Sequence, residues 1–413
     1  MSIASQENDP SRSGLALGTL GLVAAVVLAA LNLRPAIVAV GPLTSDIKAD
    51  TGLSSTATSL LTAVPLLCLG AFAAAAAPLA RRLGFERTVL LAVVAIFVGI
   101  ALRLFTPIPA LFAGSILAGS GIAIANVLVP ALIKRDFPLR IGPMMAIYSV
   151  ALQAGATLAS GMTVPLGRAL DVGWRPALAI WAVPAAFAAL AWLPMIRRPR
   201  PDAASTSQRH SVWQSGLGWA AAAFIGIQSG VYFSLTAWLP SMLIDDGLGK
   251  TEAGIILSAV GLFGILGGLP MPLLAARMRH QRWLVAVVIA VFLIGLVGLM
   301  VAPAPLALLW AVLLGVGQGG GLSLALTLFT LRSRTAAGAA QLSGMAQSAG
   351  YSIAAVAPLM VGVVHDLSGN WTVPVIVLLV ALVPMAAAGW QVARPRFLED
   401  EAAVTSQRAR DPR

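Results

Sequence analysis

A single cysteine in 413 residues excludes any disulfide within the chain, and Cys68 lies in an apolar run, where a thiol is a small packing residue. Charge is also scarce, with 10% of residues charged against about 25% in soluble globular chains. No acidic residue falls near the centre of a long apolar stretch; Asp46, Asp171, Asp245, Asp246, Glu252 and Asp366 all sit near ends. Export of cations needs a buried carboxylate, so this shortage argues against that class. No nucleophile, base and acid set, no metal-ligand cluster and no phosphate loop occurs in a supporting context, so neither catalysis, a cofactor nor a metal is expected. The run GVGQGGGLS fits GxGxxG at Gly315, Gly317 and Gly320, but a dinucleotide loop needs a strand before it. Gly315 with Gly319, and Gly317 with Gly321, instead offer small faces for close helix packing.

What is abundant is apolar length. Hydrophobic residues make up 58% of the chain, which marks an integral membrane protein. About 20 apolar residues cross a bilayer core of ~30 Å, and that rule yields twelve helical spans, an all-α architecture. They fall near 15–42, 55–78, 86–105, 108–133, 141–167, 174–195, 216–243, 252–275, 283–302, 304–330, 336–364 and 371–392. Continuous apolar runs exclude a β-barrel, whose strands alternate and are about half as long. The first run is too long for a cleaved signal core and is expected to stay as span 1. Of the 27 Lys and Arg residues, 21 lie in the even-numbered loops and the tails, so both termini are expected to be cytoplasmic. The net charge of +11 is therefore a topology signal, and no nucleic-acid partner is expected.

The longest polar interruption, RRPRPDAASTSQRHSVWQS, separates two groups of six spans. The expected organisation is a bundle over 1–196, a cytoplasmic linker over 197–215, a second bundle over 216–393 and a cytoplasmic tail over 394–413. The halves are related: PLARRLGFERTVL and LLAARMRHQRWLV align at a shift of 195 residues, matching Arg82 to Arg277 and Arg87 to Arg282. Trp174 and Trp371 each open a sixth span. An internal repeat of this kind is expected of secondary transporters.

Arg34 stands inside the first span, with no acidic residue between Asp9 and Asp46. A guanidinium at that depth costs about 2.5–3.5 kcal/mol on insertion scales and normally faces a protein interior or a watery cavity. The functional reading is an anion to hold; the alternative is snorkelling, across roughly 18 Å to the level of Asp46. Pro35 cannot donate to Leu31, so the helix is expected to bend beside the charge. Asn32 and Arg34 diverge by about 200°, and only one need face the cavity.

Over nearly its whole length the chain resembles the major facilitator superfamily. APLARRLGFERTVL is similar to that family's GxLaDRxGRR loop, although Arg81 replaces the acidic residue and Phe85 a basic one. LNLRPAIVAVGPL, GIAIANVLVPALIKRDFP and VPLGRALDVGWRPAL resemble the cyanate and 2-nitroimidazole permease branch. The resemblance implies two six-helix bundles alternating access to a central site without ATP, spans 1, 4, 7 and 10 lining it and spans 2, 5, 8 and 11 helping. Its named substrates are small and planar, and one is an anion.

The polar residues of those spans supply the candidates. Asn126 is the sole amide of span 4, where it can meet a solute or bond another helix. Tyr148 lies five residues before Gln153 in span 5, about 140° away, so the two are not expected to share a ligand. Gln228 with Tyr232 in span 7, and Gln347 with Tyr351 in span 11, have i, i+4 spacing and can present an amide and a phenol together. Gln318 of span 10 can point its amide inward. His365 beside Asp366, near the outer end of span 11, is the candidate pair for proton coupling, unless it is only a solvated helix end. Trp238 is expected to anchor at the membrane interface.

The expected protein is thus a bacterial inner-membrane secondary transporter, sufficient as a monomer, whose partners are the bilayer and a small solute with or without a proton. That solute is a planar anion or weakly acidic polar compound such as cyanate. Export of neutral nitroimidazole-like compounds is a second expectation, and a non-transporting membrane sensor or scaffold a third.

Overall fold

A computed structural model describes residues 10–197 and 212–401. Most of the expected linker, with Arg198, Arg200 and Arg209, and the end of the tail, with Arg408, Arg410 and Arg413, lie outside the described residues. Those described contain twelve membrane-length helices and no strand. Spans 1 to 6 are Leu20–Thr51, Leu60–Leu83, Phe85–Leu102, Ile108–Asp136, Pro138–Ala169 and Trp174–Arg197; spans 7 to 12 are Gly216–Asp245, Lys250–Arg277, Arg282–Val301, Ala307–Leu331, Ala336–Ser368 and Thr372–Val392.

Local chemistry sets these boundaries. Ser215 and Thr335 cap spans 7 and 11 by accepting from the backbone N–H groups of Gly218 and Gly338. Gly84, at φ 90°, makes the one-residue turn between spans 2 and 3, in the left-handed region that a side chain resists. Span 1 breaks where Pro35 removes a donor: one helix ends at Asn32 and a short one runs Pro35–Val38. Gly155 of span 5 sits against the freed Leu31 carbonyl, so closely that a Cβ there would overlap it.

Within each bundle, glycine lets backbones meet. Gly99 and Gly114 join spans 3 and 4; Gly264, Gly267, Gly315 and Gly319 join spans 8 and 10. Gly317 and Gly321 turn the other way, toward Phe292 of span 9 and Gln228 of span 7, so the glycine run of span 10 serves two packing faces.

The repeat also appears as matched polar clasps. At one end Trp174 Nε1 donates to Asp50 at 3.1 Å, and Trp371 Nε1 to Asp245 at 2.7 Å. At the other, basic end, Arg135 pairs with Glu86 at 2.5 Å, and Arg332 donates to Gln281 and to the Val392 and Ala393 carbonyls. Burial lowers the Arg332 pKa to about 10, which still leaves a cation at neutral pH. Its neutral partners compensate that charge through hydrogen bonds.

The described part of the tail folds back on the second bundle. Glu399 accepts from the N–H groups of Arg334 and Thr335, and Glu401 from Ser215 Oγ and the Leu217 N–H. Carboxylates at these two helix starts satisfy orphan donors and favour the helix dipoles.

The bundles meet at mid-depth and toward the basic end. Lys134 of span 4 donates to the Thr330 carbonyl of span 10 at 2.7 Å, and Ser348 of span 11 to the Gly70 carbonyl of span 2 at 2.5 Å. Gly142 of span 5 packs on Pro272 and Ala276 of span 8.

Candidate functional site

Arg34 lies in the break of span 1, near mid-depth. The break lifts it out of regular helix, and Arg103 holds the next turn in place: that fully buried guanidinium donates to the Ala36 carbonyl at 2.7 Å. Arg34 is 8% exposed and has no side-chain hydrogen bond or ion pair among the described residues. Its donors are not sealed against apolar walls, so they are free for a solute.

Around it the structure gathers four of the expected residues. Tyr148 donates to Asn126 Oδ1 at 2.6 Å, Asn126 Nδ2 donates to Gln347 Oε1 at 2.7 Å, and Gln347 Nε2 donates to Ser343 at 2.7 Å. This chain runs from span 5 through span 4 into span 11 and so crosses between bundles. Arg34 and Tyr351 both lie close enough to Tyr148 to interact with it electrostatically. The Tyr351 hydroxyl is buried and has no hydrogen-bond partner among the described residues. One free cation from the first bundle and one unpaired phenol from the second therefore flank the same tyrosine.

A second amide bridge stands beside the first. Gln153 Nε2 of span 5 donates to Gln318 Oε1 of span 10 at 3.2 Å, under Gly264 of span 8. The repeat relates the two bridges: Asn126 corresponds to Gln318 and Gln153 to Gln347, at shifts of 192 and 194 residues. Sequence reasoning separated Gln153 from Tyr148 by helix angle, and the two do take different partners. It missed the bridge, because only pairing span 4 with 10 and span 5 with 11 predicts which amides meet.

Other expectations are corrected. Asn32 donates to the Leu28 and Pro184 carbonyls, fastening span 1 to span 6 away from Arg34. Gln228 is fully buried; it donates to the Gln318 carbonyl and accepts from Ser229, so it does not form a lining pair with Tyr232. Tyr232 is half-buried and its ring packs on Phe233. His365 and Asp366 are not a pair: His365 stacks on Trp371 at 3.7 Å and its Nδ1 meets the Asn370 carbonyl, while Asp366 is exposed. Trp238 is half-buried against Trp371 and donates to the Pro358 carbonyl.

Twelve spans in two bundles around a central polar seam define a membrane transporter fold. The chain belongs to the Major Facilitator Superfamily, whose family model matches residues 20–358. It is 38% identical to the 2-nitroimidazole transporter of Escherichia coli (strain K12), covering 89% of this chain and 94% of that one. It is 33% identical to the cyanate transport protein CynX of the same organism, covering 84% and 90%. Among solved structures, the proton:xylose symporter XylE bound to 6-bromo-6-deoxy-D-glucose superposes with a TM-score of 0.74 at 15% identity, over 93% of this chain and 98% of that one. That likeness concerns the fold.

Proposed function

We propose that this transporter moves a small planar anion or weakly acidic polar solute, such as cyanate, by alternating access across the cytoplasmic membrane, with both termini on the cytoplasmic side. The carrying observation is Arg34, a near-buried guanidinium with no side-chain hydrogen bond or ion pair among the described residues, beside Tyr148 where that residue meets Tyr351 of the second bundle. Its planar fork suits a planar anion better than a point charge would. The Tyr351 hydroxyl supplies a contact from the opposite bundle, and Gln318 completes the polar wall. The named cyanate relative supports the solute class.

A second reading, export of nitroimidazole-like compounds, is favoured by the more similar relative of the two. There the aromatic rings of Tyr148 and Tyr351 would face a planar ring, and Arg34 would bond a nitro group. Uptake of labelled cyanate and of a 2-nitroimidazole into proteoliposomes preloaded with the same unlabelled compound, with and without an inward proton gradient, separates the readings. Arg34→Ala is expected to reduce cyanate uptake at least ~10-fold, the scale of a charge-assisted hydrogen bond worth about 1.5–3 kcal/mol. Arg34-independent nitroimidazole movement without cyanate uptake would replace the first reading with the second.

A further inference from the structure

Arg34 has no carboxylate to exchange with when the solute leaves. Among the described residues, no Asp, Glu or His lies near the middle of a span. Glu86, the buried acid among the described residues, is held by Arg135 at the basic end. A titratable side chain beside Arg34 is the phenol of Tyr148, with Tyr351 next to it, and neither is a carboxylate. The backbone of Arg34 is held in place by the break at Pro35 and by the Arg103 bond to Ala36.

A carrier that is not a channel must pass through a state closed at both ends. In that state a bare guanidinium loses its water and gains nothing in return, which is costly in a dry interior. A bound monoanion removes the net charge and restores the lost hydrogen bonds. We infer that the protein is an anion exchanger: the loaded carrier changes sides and the empty one is arrested by its own Arg34. This rests on the anion reading above. It adds that inward movement of one anion requires outward movement of another, without a proton carried on the protein.

Full-length protein is reconstituted in vesicles loaded with labelled cyanate, with the membrane potential clamped by a potassium ionophore. Efflux is followed into medium with or without unlabelled cyanate. External cyanate is expected to accelerate efflux at least ~100-fold, equivalent to about 2.7 kcal/mol between the loaded and empty crossings. Equal, Arg34-dependent efflux in both media would overturn exchange and leave the anion site standing. Absence of cyanate flux in either medium would end both.

A readout without transport uses Cys68→Ser with Thr330→Cys, a position packed at the closed basic end. Without solute, a membrane-impermeant maleimide supplied from that side should label Cys68→Ser/Thr330→Cys protein slowly, and faster once Arg34→Gln removes the charge. Equal labelling in the two backgrounds would refute arrest by Arg34.

Discussion

Arg34, Tyr148, Asn126 and Gln347 combine two kinds of polar residue that a sequence does not distinguish. The amides and Tyr148 are engaged with one another, whereas Arg34 makes no side-chain hydrogen bond or ion pair among the described residues. Removing a member of the engaged chain therefore leaves a buried partner unpaired, at about 1–3 kcal/mol. Tyr148→Phe, which strands Asn126 Oδ1, is expected to lower the melting temperature in detergent by that measure. Gln228→Leu should likewise lower stability while leaving the KM for solute unchanged, because its partners are protein atoms; a raised KM at unchanged stability would return Gln228 to the solute. The singularity of Arg34 was legible in the sequence, since an uncompensated charge in an apolar run stands out. The roles of Gln228 and Asn32 were not, because helical spacing gives the side of a helix but not which neighbour occupies it.

At the level of elements, the break in span 1 was also legible, since Pro35 removes a specific hydrogen bond. What the sequence left open was where the freed Leu31 carbonyl goes, and the answer lies across the bundle at Gly155. Gly155→Ala would drive a methyl into that carbonyl and shift the turn carrying Arg34. Overpacking of this kind costs about 1–3 kcal/mol. Gly161→Ala, in the same span with open space around it, is the matched control. The expected result is lower stability and impaired solute binding for Gly155→Ala only, read by thermal unfolding and by a binding titration. Span existence followed from apolar length, and the predicted edges lie within several residues of the observed ones. The clearest departures are at spans 1 and 2, which run on past their predicted ends to Thr51 and Leu83.

Considered as a whole, the molecule keeps its duplication most plainly in polar clasps. The sequence already aligned Arg82 with Arg277 and Trp174 with Trp371, and the structure adds what each clasp holds. Where the first half uses Glu86 with Arg135, the second uses Gln281 with Arg332. Glu86→Gln should therefore be tolerated, the amide copying the second half, while Glu86→Ala should cost about 1.5–3 kcal/mol through loss of a charge-assisted bond. Unfolding of the two variants side by side checks this; equal loss would mean that charge rather than hydrogen bonding is required. The tail escaped sequence reasoning because a short polar segment after the last span carries no apolar signal. Yet Glu399 and Glu401 finish the starts of spans 11 and 7. A ribosome makes span 7 more than 150 residues before it makes Glu401, so the opening helix of the second bundle is inserted with its Ser215 cap but without the carboxylate that accepts from the Leu217 N–H. The second bundle thus reaches its finished form only when the stretch carrying Glu399 and Glu401 is released, and premature termination just beyond span 12 would yield a full set of spans that never completes its own assembly.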